Sequence, residues 1–127
     1  MGIAFSHWDI GIPHSMFHRL RRRLAREISI DLDRMEGYAA YRADGTVKSR
    51  GTRSWEDLPD PLVLVLRASD VEASFSPEEC WAIKRRLQEI APGLTSEKDH
   101  GARGMVLALA EAMARAAFLG ERFSWSG

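Results

Sequence analysis

The chain is 127 residues long, 45% hydrophobic and 9% aromatic, which suits one domain (residues 1–127) with its own core and excludes disorder as the main state. Lys plus Arg is 18 and Asp plus Glu is 18, so no global field recruits nucleic acid or an acidic membrane surface. A single cysteine excludes an intrachain disulfide framework and a zinc site built from several cysteines.

The first residues, MGIAFSHW, carry no basic n-region, no apolar h-region and no small-residue cleavage site, so a cytoplasmic protein without a secretory signal is expected. Ile3 and Phe5 fall on one side of a short strand, which Pro13 interrupts. Ser15 then offers an N-cap for a helix beginning near Met16. Phe17, Leu20, Leu24 and Ile28 recur at helical spacing and make one apolar stripe. Arg19, Arg22, Arg23 and Arg26 lie opposite it and Arg21 flanks it, and the helix should end before Gly37.

Asp44-Gly45 between two short runs containing Tyr and Val predicts an exposed β-hairpin or loop over residues 38–51. Ser54-Trp55-Glu56-Asp57 has the capping pattern of a short turn. Asp60-Pro61 supplies an N-cap and a first-turn proline, which favours a helix from Leu62 to Arg67 over a buried strand. Ser76-Pro77-Glu78-Glu79 is a stronger start: a hydroxyl cap, proline in the first turn, and a carboxylate at the capping-box position. Cys80, Ile83, Leu87 and Ile90 then share a face, and Pro92-Gly93 stops the helix.

A last helix should run from near Ser96 to Gly120. Its longest apolar tract, Met105 to Leu119, is broken by Glu111 and Arg115 and falls short of the ~20 residues of a membrane span. Met105, Val106, Leu109 and Met113 form one apolar face of it, while Leu107 and Phe118 form a second. Either the helix packs on several sides, or the second face docks a partner or another copy. Phe123-Ser124-Trp125 alternates and suits pairing with the first strand. The expected fold is therefore mostly α: about four helices, a small terminal β-strand pair and the 38–51 hairpin.

Chemistry is sparse. The arginine face carries five Arg against one Glu between Phe17 and Ile28; it reads first as a solvated or ion-paired surface, then as a site for an acidic protein, and last as a phosphate track. His14 and His18 stand four apart, but an N-cap at Ser15 would place His14 outside the helix, so a zinc pair is not expected. Cys80 falls on a buried stripe and reads as a packed thiol. No GxSxG, P-loop or dinucleotide fingerprint occurs, so no enzyme activity and no cofactor are expected. Residues 68–79 resemble a degenerate EF-hand loop, with Asp70, Glu72 and Glu79 at three ligand positions. Ala68 gives no ligand at the first position, and Ala73 replaces the turn glycine, so calcium binding is not expected.

The segments FHRLRRRLAREISIDLDRMEGY, SWEDLPDPLVLVL, SDVEASFSPEEC and AEAMARAAFLGERFSW resemble small uncharacterised proteins of actinobacteria and their phages over most of the chain. In that family the middle loop is more often acidic with a glycine, from which Ala73 departs, and the Tyr38 to Gly51 hairpin looks like an insertion. The resemblance implies provenance and a shared fold, and no activity. These readings together point to a non-enzymatic interaction protein with a protein partner, in one version a phage-encoded adaptor or inhibitor of a host protein. A homo-oligomer is compatible with them. Candidate docking residues are Arg19, Arg22, Arg23, Arg26, Tyr38, Tyr41, Trp55, Leu107 and Phe118. Two alternatives stand beside it: a nucleic-acid-binding accessory protein using the arginine helix, and a divalent-metal-responsive domain.

Overall fold

The computed structural model describes residues 2–94 and 100–127. In chain order, strands β1 (Gly2–Phe5) and β2 (Trp8–Pro13) lead into helix α1 (His14–Glu27) and a hairpin, β3 (Ala39–Tyr41) and β4 (Val47–Arg50). A short helix α2 (Val63–Arg67), strand β5 (Glu72–Phe75), helices α3 (Pro77–Ile90) and α4 (His100–Leu119), and strand β6 (Phe123–Ser126) follow. About 51% is helix and 22% is strand, so the fold is an α+β mix and the mostly α expectation is corrected.

The difference lies in the sheet. The expected pairing of the first and last strands is present, with Ala4 opposite Ser126 and Phe5 opposite Trp125. It is the centre of a four-stranded antiparallel sheet of order β2-β1-β6-β5. Pro13 closes β2 rather than preventing it, at the strand-end position where a missing N–H costs no ladder bond. Residues 72–75, placed by sequence in a calcium-type loop, pair with β6 from Glu72 opposite Ser126 to Phe75 opposite Phe123. Phe75 is thereby laid against Trp125 with ring centroids 5.1 Å apart.

Burial alternates along these strands. Ile3, Phe5, Ile12, Phe75, Phe123 and Trp125 are buried, while Ala4, Ser74 and Ser126 face solvent. Phe17 of α1 meets Trp125 edge-on at 5.1 Å, and with Leu20 and Leu24 it brings the predicted stripe onto the sheet. The stripe extends to a single buried cluster with Leu62, Val65 and Leu66 around α2, Cys80, Ile83 and Leu87 on α3, and Val106, Leu109 and Met113 on α4. Burying these side chains at about 1.5–3 kcal/mol each is the main driving force for the fold.

Several local signals act as read. Ser76 Oγ accepts from the Glu79 amide at 3.1 Å and the Glu79 carboxylate accepts from the Ser76 amide at 2.8 Å, which completes the capping box of α3. Asp60 Oδ1 accepts from the Leu62 amide at 2.9 Å in the turn before α2, but the N-cap of α2 is Leu62 and no side chain caps it, so the expected Asp60 cap and first-turn Pro61 are corrected. Asp44 Oδ1 accepts from the Thr46 amide, and Gly45 takes φ +88° in the hairpin turn. The start of α1 differs: it begins at His14 directly after Pro13, and no side chain caps it, so Ser15 is a helical residue. The expected start of the last helix near Ser96 lies outside the described residues. No described helix is long and apolar enough to cross a membrane.

Candidate functional site

Helix α1 divides the chemistry of the molecule between two sides. On its outer side, Met16, Leu20, Ala102 and Met105 floor a groove of about 540 Å³ between α1 and the beginning of α4. Arg19, Arg22, Arg23 and Arg26 rim it. All four arginines expected on the polar face therefore converge on one concave surface with an apolar floor. Their settings are unequal. Arg22 is ion-paired to Asp33 and also donates to His18 Nε2 at 3.0 Å. Arg23 bonds Glu27 at 2.8 Å one turn along the helix. Arg19 and Arg26 are exposed and have no ion pair among the described residues.

The inner side carries a residue that sequence reasoning placed only at the edge of the stripe. Arg21 is 5% exposed and is the one buried charged side chain among the described residues. Its Nη1 donates to the Tyr38 hydroxyl at 2.9 Å and to the Ala68 carbonyl at 2.7 Å. Its guanidinium carbon lies 4.5 Å from the centroid of the Phe17 ring and 5.6 Å from that of Trp125. A second cavity, about 380 Å³, opens beside it, with His14, His18, Tyr38, Arg67 and Asp70 in its wall. His14 and His18 thus share one continuous helix, which corrects the expectation that Ser15 separates them. Partial burial, then the charges of Arg22 and Arg21, hold the His18 imidazole below its ordinary pKa, in agreement with a neutral ring whose Nε2 accepts from Arg22.

The remaining expected site residues are scattered. Tyr41 is exposed on β3. Trp55, expected as a docking candidate, is 6% exposed, and its indole donates to the Glu36 carbonyl at 2.9 Å, so it anchors the hairpin base from inside. Tyr38 is half-buried and engaged with Arg21. Leu107 and Phe118 are exposed on α4, Phe118 by 88%. Asp70, Glu72 and Glu79 do not converge: Glu72 lies on a strand, Glu79 caps its own helix, and no group of three His, Cys, Asp or Glu among the described residues is placed to hold a metal. Cys80 is buried with its thiol directed to the Phe75 carbonyl at 3.7 Å, and burial pushes its pKa up.

Comparison of the chain with family models, with curated proteins and with solved structures finds no match.

Proposed function

We propose that this chain is a non-enzymatic, cytoplasmic interaction protein that receives an acidic amphipathic segment of a protein partner in the groove between α1 and α4. The observation that carries this reading is the placement of four guanidinium groups around one apolar floor. Met16, Leu20, Ala102 and Met105 suit the apolar side of a helix laid in the groove, and the rim suits carboxylates on its flanks. Arg19 and Arg26, which have no carboxylate partner among the described residues, are the two whose charge is most available to steer an acidic segment. Arginine does not exchange protons near neutral pH, and the one thiol is buried with a raised pKa, so the chemistry gathered here suits recognition better than turnover. A free buried cysteine suits a reducing compartment. The version in which the partner is a host protein bound by a phage-encoded chain rests on the sequence resemblance alone.

The test is affinity capture from a nuclease-treated actinobacterial lysate, wild type beside Arg19→Glu/Arg26→Glu, with the fold of the variant checked by circular dichroism. The expected result is a stoichiometric protein retained by the wild type, released by salt and absent from the variant. Retention that survives the charge reversal overturns the groove as the docking surface. Retention that vanishes with nuclease favours nucleic acid as the partner.

A further inference from the structure

We infer that the cavity between α1 and the segment around Ala68 binds a small monocarboxylate, held by the unoccupied edge of the Arg21 guanidinium. The starting point is an incomplete hydrogen-bond inventory. A guanidinium has five N–H donors. On Arg21, Nη1 is engaged by the Tyr38 hydroxyl, the Ala68 carbonyl and, at 3.4 Å, the Leu66 carbonyl, whereas Nε and Nη2 are buried and have no partner among the described residues. Those two nitrogens form one edge of the guanidinium, the edge whose parallel N–H bonds match the two oxygens of a carboxylate. His14 Nε2 is also buried without a partner among the described residues, and His14 lines the same cavity.

A buried charge is ordinarily paired, because leaving water costs far more than cation–π contacts return. Arg21 has Phe17 and Trp125 beside it and no ion pair to a carboxylate among the described residues. The fold nevertheless fixes it firmly: Tyr38 holds Nη1 while bonding the Leu66 carbonyl at 2.6 Å, so the guanidinium cannot turn toward solvent without breaking both bonds. A cation that is desolvated, held in orientation and unpaired along one edge favours an anion able to displace the atoms packed against that edge.

The lining selects the anion. Arg67 adds a second positive group, but Glu36 and Asp70 also line the cavity. A phosphate dianion would face both carboxylates, whereas a single negative charge is neutralised by Arg21 alone. Phe17 and Tyr38 give the cavity aromatic walls suited to an apolar body behind the carboxylate. The unpartnered donors have almost no surface open to water or to the cavity, so the ligand reaches them by displacing the side chains packed between them and the cavity. Once inside, it meets no competition from solvent.

The experiment uses the wild-type chain with benzoate, acetate, inorganic phosphate and sodium chloride at matched ionic strength. Thermal unfolding and the side-chain Nε–H resonance of Arg21 are the two readouts. The expected result is a saturable rise in Tm with benzoate, a smaller one with acetate, and a shift of the Arg21 resonance over the same concentration range. In Arg21→Lys, which keeps the charge and loses the fork, the Tm response to benzoate should fall at least severalfold. The resonance readout needs no variant, so a poorly folded substitution does not remove the test. An unmoved Tm and resonance with both carboxylates overturn the site. An equal response to chloride reduces the effect to ionic strength and also overturns it, and a larger response to phosphate overturns the choice of a monocarboxylate.

Discussion

Tyr38 accepts a hydrogen bond from Arg21 Nη1 at 2.9 Å and donates its own hydroxyl hydrogen to the Leu66 carbonyl at 2.6 Å. One phenol oxygen thus ties α1 to α2 across a stretch in which the chain has built a separate hairpin. Replacing Tyr38 by Phe keeps the ring and removes both phenol hydrogen bonds, leaving Arg21 Nη1 with the Ala68 carbonyl at 2.7 Å and the Leu66 carbonyl with Arg21 Nη1 at 3.4 Å. A loss of about 1–3 kcal/mol in unfolding free energy is expected, the net worth of two hydrogen bonds. Urea denaturation at neutral pH measures it, and an unchanged midpoint would show that water replaces the phenol without penalty.

The second prediction concerns pH. His18 has its pKa lowered from 6.5, by partial burial first and then by Arg22 and Arg21. The unfolded chain therefore takes up this proton before the folded chain does. Between the two pKa values the unfolded state binds more protons, and stability rises with pH. The His18 contribution is fully present above about 6.5, declines as pH falls below that value, and levels off beneath the folded pKa. Unfolding curves of wild type and His18→Gln at a series of pH values isolate the effect as their difference. A difference that does not change between pH 7.5 and 5 would refute it.

Gly51 supplies a steric test of how the hairpin is seated. A Cβ at this position would stand 1.9 Å from the Met35 carbonyl oxygen, a backbone atom that cannot swing aside. The same region holds the Gly51 amide to the Tyr38 carbonyl at 2.8 Å and the bridge between Met35 and Arg53. Gly51→Ala is expected to cost about 1–3 kcal/mol or more, as overpacking does, and to expose Trp55 to solvent. A blue-shifted tryptophan emission identical to that of the wild type would argue against this.

Cys80 should be chemically silent until the fold opens. Its side chain is fully buried, and its pKa is raised chiefly by that burial. A thiol reagent such as DTNB is expected to leave the native protein untouched and to titrate the residue in strong denaturant. Rapid labelling without denaturant would mean that α3 leaves the sheet far more often than its packing implies.

What was legible from the sequence was local chemistry. The Ser76 capping box, the Asp44-Gly45 turn and the apolar stripe of α1 each depend on residues within a turn or two of each other, and each is present, whereas Asp60 and Pro61 form the turn that precedes α2, whose N-cap is Leu62. The sheet depends on partners far apart in sequence. Strand β5 is only four residues long and turns just Ala73 and Phe75 inward, too little for a period-two signal, and its strand state is imposed by Phe123 and Trp125. The start of α1 differs from the sequence reading because a serine beside a histidine reads as a cap, while Pro13 sets the boundary two residues earlier. Arg21 shows the same limit at the candidate sites. Nothing in its type separates it from Arg22 or Arg23, and its burial comes largely from partners distant in sequence, Tyr38, the carbonyl of Ala68 and the Trp125 ring. Its position at the border of the apolar stripe was the available signal.

The two central strands of the sheet lie near opposite ends of the sequence, and this sets an order on assembly. β1 and β2 can close as a hairpin as soon as both exist, but β5 pairs only with β6, whose residues are made some fifty positions later. A chain still emerging from the ribosome therefore carries β5 with both edges open and Phe5, Phe17 and Phe75 waiting for the Trp125 ring that touches all three. Trp125 acts as a keystone, and closure becomes a single late event with a long loop to draw shut, which predisposes this small fold to slow, cooperative folding and to need protection of its open edge until synthesis has passed residue 126.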